Sequence, residues 1–111
     1  MQVKELKSSL LIEIYRAMLT DKQYCVMDMY FNLDYSLTEI AENEGISRQG
    51  VLDIIKRSEQ KLIEYEQKLG MMKKYEATEN ALKKIEQLTS GSAIEQDVND
   101  AAAKIRSAWE E

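Results

Sequence analysis

Between positions 45 and 57 the sequence reads GISRQGVLDIIKR, and its side chains suit recognition better than bond breaking. Arg48 can pair with guanine or phosphate, Gln49 with adenine, and Lys56 and Arg57 with phosphate. At about 100° per residue, Gln49, Leu52, Asp53, Lys56 and Gln60 share one arc of a helix, with Arg48 and Arg57 at its margins. The candidate binding set is therefore Arg48, Gln49, Leu52, Lys56, Arg57 and Gln60. Asp53 works against one use of it, because a carboxylate on that face repels a phosphate backbone.

Catalysis finds no comparable set. The chain has no histidine and one cysteine, and it lacks a glycine-rich phosphate loop, a nucleophile elbow and a cluster of metal ligands. Its carboxylates are scattered at helical-surface spacing, as solvated charges are. No enzymatic activity, catalytic residue, metal or cofactor is expected. Cys25, within YCVMDMYF, reads as a small core residue.

Charge bears on the partner. Fifteen Lys and Arg face twenty Asp and Glu, a formal net charge of -5. From Thr20 to Leu69, six cations meet ten acids, so the segment holding the binding set is itself net negative by four. Affinity for duplex DNA comes largely from cations that release condensed counterions, and this balance is a poor footprint for it. A protein or ribonucleoprotein is the expected main target, with DNA as the alternative. The pairs Lys73-Lys74 and Lys83-Lys84 are flanked by acids and read as solvated helix faces.

The elements that position these groups are helices. Across 111 residues there is no proline and there are four glycines, while Leu, Ile, Met, Glu, Lys, Gln and Ala abound, which predicts an all-α chain able to bury its own core. Leu6, Leu10, Leu11, Ile14, Tyr15 and Met18 predict an amphipathic first helix over residues 4 to 18, with Lys4, Lys7 and Glu13 off its stripe. Thr20 with Gln23, and Ser36 with Glu39, are capping-box pairs that start a second helix from Asp21 to about Phe31 and a third through Glu44. Gly45 then takes the left-handed conformation that ends the third helix, and Ser47 caps the fourth. A steep crossing of the last two needs small and apolar residues at its centre, which Ile40, Ala41, Ile46, Val51 and Ile54 supply around Gly45. This is the pattern of a helix-turn-helix.

The stretches LTDKQ, DYSLTEIAE, SRQ, IKRSE and YEQKLG give residues 5 to 70 a resemblance to the YlxM family, small bacterial proteins with a helix-turn-helix similar to region 4 of sigma factors. Gly50 stands where that family usually has alanine, and Leu52 where an aromatic is common. The resemblance implies an accessory or regulatory role in the signal recognition particle pathway, since the family's gene neighbours those of the particle's protein and its receptor. It implies particle components or the receptor as partners. A complete sigma factor is excluded, because nothing here supplies the domain for a second promoter element.

Two further surfaces can make contacts. Val51, Ile55, Ser58, Leu62, Tyr65, Leu69 and Met72 recur as a heptad seam, which either packs on this chain's own helices or meets itself in a homodimer. Residues 1 to 70 are expected to form the helix-turn-helix domain, and residues 71 to 111 a helical pair packing on it or on a second subunit. In that pair Tyr75, Leu82, Ile85 and Leu88 form one stripe, and Ile94, Val98, Ala101, Ala102, Ile105 and Trp109 another. Gly91 is a predicted C-cap, and Ser92 with Glu95 a further capping box. Trp109 would anchor any docked protein. The charged N-terminus fits neither a signal peptide nor a membrane span, so a soluble cytoplasmic protein without membrane insertion is expected.

Overall fold

The computed structural model describes residues 2–110, with side chains described from Ser8 to Glu110, so Lys4, Leu6 and Lys7 lie outside the described side chains. The chain divides into two units, Met1–Gly70 and Met71–Glu111. All the described elements are helical. In the first unit α1 spans Gln2–Ile14, α2 Asp21–Phe31, α3 Leu37–Glu44 and α4 Arg48–Leu69, and in the second α5 spans Met71–Thr89 and α6 Glu95–Ser107.

The first helix ends earlier than its apolar pattern predicts. It stops at Ile14, and a single 3-10 turn, Arg16–Met18, follows before Leu19 turns extended at φ -99° and ψ 149°. The reason is the next helix: the cap at Thr20 requires extended backbone (φ -69°, ψ 161°), so the chain must unwind before Asp21. Its buried stripe also differs from the predicted one. Ser8, Ile12, Tyr15 and Leu19 point inward, Leu10, Leu11 and Ile14 flank them half-buried, and Met18 is exposed.

Capping boxes fix both α2 and α3. The Thr20 backbone N–H donates to Gln23 Oε1 at 3.0 Å while the Gln23 N–H donates to Thr20 Oγ1 at 3.1 Å. Ser36 and Glu39 make the same reciprocal pair at 2.8 and 3.0 Å. Each satisfies two backbone donors that the helix start would otherwise leave bare. α2 buries Val26, Met27 and Met29. Cys25 corrects the sequence reading: it lies about 100° round the helix from Val26 and is exposed rather than in the core.

The crossing of α3 and α4 turns on Gly45, at φ +69° and ψ 34°. Ile46 N–H closes the turn onto Ala41 O at 3.1 Å, the six-to-one bond of a Schellman ending. Ile40, Ala41 and Val51 are buried at the crossing, and Ser47 Oγ caps α4 by accepting from Gly50 N–H at 3.0 Å. α4 then presents Val51, Ile55, Ser58 and Leu62 to the core of the unit, in contact with α1, α2 and α3. Gly70, at φ +61°, ends it.

In the second unit α5 and α6 form a hairpin. Tyr75 and Trp109 meet edge to face with ring centroids 5.3 Å apart. Arg106 bridges two carboxylates one after the other along α5, its Nη2 3.0 Å from Glu79 Oε1 and its Nη1 2.7 Å from Glu86 Oε2. Leu82 and Ala102 are the buried residues of the pair. Each predicted stripe therefore splits: Tyr75, Val98 and Trp109 are half-buried, whereas Ile85, Leu88, Ile94, Ala101 and Ile105 are exposed. The predicted box at Ser92 does not form. Gly91, at φ +77°, turns the chain so that Ser92 Oγ donates to Thr89 O at 2.6 Å, and α6 instead begins at Glu95 behind Ile94, an N-cap position with no side-chain hydrogen bond.

Candidate nucleic-acid or partner interface

The face of α4 opposite its core residues is the candidate interface, and two local devices aim it. Gly45 sets the angle between α3 and α4, while the Ser47 cap fixes where α4 begins and hence the rotation of everything after it. With Val51, Ile55, Ser58 and Leu62 committed inward, Arg48, Gln49, Lys56, Arg57 and Gln60 are exposed, and Leu52 is half-buried among them. Of the residues around the crossing, Ile46 and Ile54 are half-buried and Gly45 itself is exposed.

Polar contacts divide this face into committed and uncommitted groups. Gln49 Nε2 donates to Asp53 Oδ1, and Gln60 Nε2 to Glu64 Oε1, both at 3.2 Å and both four residues along the same helix. Reading a base with Gln49 means taking its amide from Asp53. Arg48, Lys56 and Arg57, by contrast, take part in none of the ion pairs found among the described residues. Glu44, at the end of α3, is occupied by Lys22 Nζ at 3.2 Å and so does not neutralise them.

The heptad seam along α4 is not uniform. Ile55 and Leu62 are buried with Val51 and Ser58, and Tyr65 is half-buried with its ring centroid 5.8 Å from that of Tyr15. Leu69 is 47% exposed, and Ile63, off the seam, 44%.

One cleft was not anticipated. Arg16, Ala17, Leu19, Asp21, Tyr24 and Cys25 line an open depression of roughly 400 Å³ beside the 3-10 turn. The Arg16 guanidinium sits 4.0 Å from the Tyr24 ring centroid, and the Tyr24 hydroxyl donates to Glu13 Oε2 at 3.2 Å. Burial, then the charges of Glu13 and Asp28, push that hydroxyl above its ordinary pKa against the pull of Arg16. Only the unwinding before Thr20 opens this cleft, and no periodicity announces a helix that stops short of its own apolar pattern.

Among the described residues no helix is long and apolar enough to cross a membrane, and no cluster of side chains could hold a metal ion.

Comparison with known proteins points the same way as the geometry. Residues 2–101 match the family model UPF0122, described as "putative helix-turn-helix protein, YlxM / p13 like". The UPF0122 protein YlxM of Bacillus subtilis is 40% identical over 95 residues, which cover 86% of each chain. A UPF0122 protein of Listeria welshimeri is 41% identical over 101 residues, covering 90% of this chain and 92% of its own. Another, from Caldanaerobacter subterraneus, is 50% identical over 80 residues, covering 72% of this chain and 66% of its own.

Proposed function

We propose, for a chain that belongs to the UPF0122 family of YlxM/p13-like helix-turn-helix proteins, a non-enzymatic regulatory role in the cytoplasm, binding a protein or ribonucleoprotein of the signal recognition particle pathway through the solvent face of α4. The observation that carries this reading is the state of Arg48, Lys56 and Arg57. Three exposed cations without ion pairs stand on one short stretch of a segment whose net charge is negative. That combination suits a small acidic spot on a partner better than the long phosphate tracks of a duplex. The pathway itself rests on the family resemblance.

The test is co-elution of the purified full chain with the particle or with its receptor, alongside Lys56→Glu and Arg48→Ala. Co-elution that the two substitutions weaken supports the reading. Absence of co-elution with every component overturns it.

Duplex DNA is the second reading, favoured by the helix-turn-helix pattern itself, since the second helix of that motif is the one that enters the major groove where it binds DNA. Here Arg48, Gln49 and Lys56 are the readers. Binding to some duplex should then fall steeply with salt and collapse in Lys56→Glu, and indifference to both removes it.

A further inference from the structure

The last turn of α3 carries a carboxylate where a helix favours a cation. Glu44 is the final residue of α3, that turn has no basic residue of its own, and the carbonyl ends of the helix add to the negative charge there. The Glu44 side chain keeps only 19% of its surface exposed, so water does little to steady it. The cation comes instead from another helix. Lys22, in the first turn of α2, sets its Nζ 3.2 Å from Glu44 Oε1.

Two attractions compete with Lys22 for this carboxylate. Arg48 follows Glu44 by four residues across the Gly45 turn, a span of at most about 14 Å that an extended glutamate and an extended arginine can close between them. Arg48 is exposed and enters none of the ion pairs found among the described residues. The first turn of α4 also holds no acidic residue, so the positive end of that helix draws an anion toward the same place. Lys61, a further cation near the start of α2, already points its Nζ at Gln23 Oε1, 3.4 Å away. A Glu44 released from Lys22 therefore turns toward Arg48.

We propose that Lys22 is a positioning residue for the α4 interface: by holding Glu44 against α2, it leaves Arg48 and the start of α4 open to a partner. The inference rests on the reading of α4 as the binding face, and it holds for either partner considered for that face. A purely structural role is the weaker account of the pair. Lys22 is 48% exposed, and ion pairs with one member this open to water add little to the stability of a fold. What the pair changes is the charge at the start of α4, since a carboxylate placed on Arg48 cancels one of the three cations on which the interface depends.

Arginine side-chain NMR of the full chain tests this without any partner. The chain has four arginines, Arg16, Arg48, Arg57 and Arg106, so their Nε–H signals are few enough to assign, and Arg106, clasped between Glu79 and Glu86, shows how a paired guanidinium behaves. In the native chain the Arg48 Nε–H exchanges with water faster than that of Arg106. In Lys22→Ala it shifts and slows toward the Arg106 behaviour. It returns to its native position in the double variant Lys22→Ala, Glu44→Gln, and stays there in Lys22→Arg, which keeps the pair. An Arg48 signal unmoved by Lys22→Ala overturns the proposal, whether Glu44 then stays in water or passes to Lys61.

Titration against the particle, its receptor and labelled duplexes gives the second arm. Lys22→Ala weakens whatever binding the native chain shows by about three- to fivefold, as Arg48→Ala does, and has no further effect in the Arg48→Ala background. Equal losses from Lys22→Ala with and without Arg48 overturn the proposal, since the lysine then acts on its own account. A native chain that binds none of these removes the reading of α4 as the binding face, while the arginine signals still decide whether Lys22 keeps Glu44 from Arg48.

Discussion

The Tyr15 hydroxyl donates to Glu66 Oε1 at 2.7 Å, joining the residue that follows α1 to the last quarter of α4 across 51 residues of sequence. Its ring also lies 5.8 Å from that of Tyr65, so one buried side chain serves both packing and polar satisfaction at the same junction. Tyr15→Phe keeps the ring and removes the hydroxyl. It should lower the stability of the first unit by about 1.5 to 3 kcal/mol, the range for a hydrogen bond to a charged group, and Tyr15→Ala should lower it by more, about 3 to 5 kcal/mol. Urea unfolding followed by circular dichroism reads both; equal losses for the two variants would show that the ring contributes nothing.

Gly45 offers a test of the crossing that is free of packing effects. A Cβ built there meets nothing within 4 Å, so the whole penalty of Gly45→Ala comes from holding an L residue at φ +69°. That penalty is about 1 to 2 kcal/mol, with Gly45→Asn less affected because asparagine visits the left-handed region more readily. Thermal melts of the two variants check the order, and a harmless alanine would contradict the left-handed turn.

Ser58 is fully buried in the core face of α4, and its Oγ has no hydrogen-bond partner. Desolvating a hydroxyl without replacing its hydrogen bond is unfavourable, while alanine fits the same volume and favours helix. Ser58→Ala should therefore stabilise the unit by about 1 kcal/mol, seen as a raised urea midpoint with an unchanged slope.

The capping box at the start of α3 makes stability depend on pH in a defined direction. Hydrogen bonds from Ser36, the backbone N–H first, hold the Glu39 carboxyl below its ordinary value of 4.5. A carboxyl whose pKa falls on folding contributes stability that is present above its unfolded pKa and is lost as pH drops through the folded one. Glu39→Gln should thus melt below the native chain at neutral pH, and the gap should close as the solution is acidified below 4.5. A gap that persists in strong acid would mean the charge of Glu39 is not its source.

The helix-turn-helix was legible in the sequence because its determinants are local. Ser36 with Glu39, Gly45, and the cap at Ser47 each act over three or four residues, and the structure forms all three. What escaped was decided by competition between neighbouring elements. Met18 continues the apolar pattern of α1, but the backbone demanded by Thr20 overrides it, and the cleft beside Arg16 and Tyr24 follows from that override. Ser92 satisfies the pattern of an N-cap, yet the turn at Gly91 brings both its backbone N–H and its hydroxyl onto Thr89 O at the end of α5, which takes the side chain away from the start of α6. Cys25 sits amid apolar residues in sequence, but neighbours along a helix point about 100° apart, so composition says nothing of its exposure. Ser8 hid the true stripe of α1 by being small and polar at a buried position.

Asp53 separates the two readings of the α4 face. It shares that face with Lys56 and holds the Gln49 amide at 3.2 Å, so it both repels phosphate and occupies the group that would read adenine. If the face reads a duplex, Asp53→Asn removes the repulsion and frees some of the amide, and affinity for that duplex should rise by about threefold or more at low salt. If the face binds a protein of the particle or its receptor, the aspartate is part of a mixed-charge surface matched to its partner, and the same substitution should leave duplex binding weak and without sequence preference. Fluorescence anisotropy with labelled duplexes, run beside co-elution of the same variant, reads both arms. Under the function proposed here the duplexes stay weakly bound and co-elution changes; tight, sequence-dependent duplex binding by Asp53→Asn with co-elution untouched would reverse that assignment.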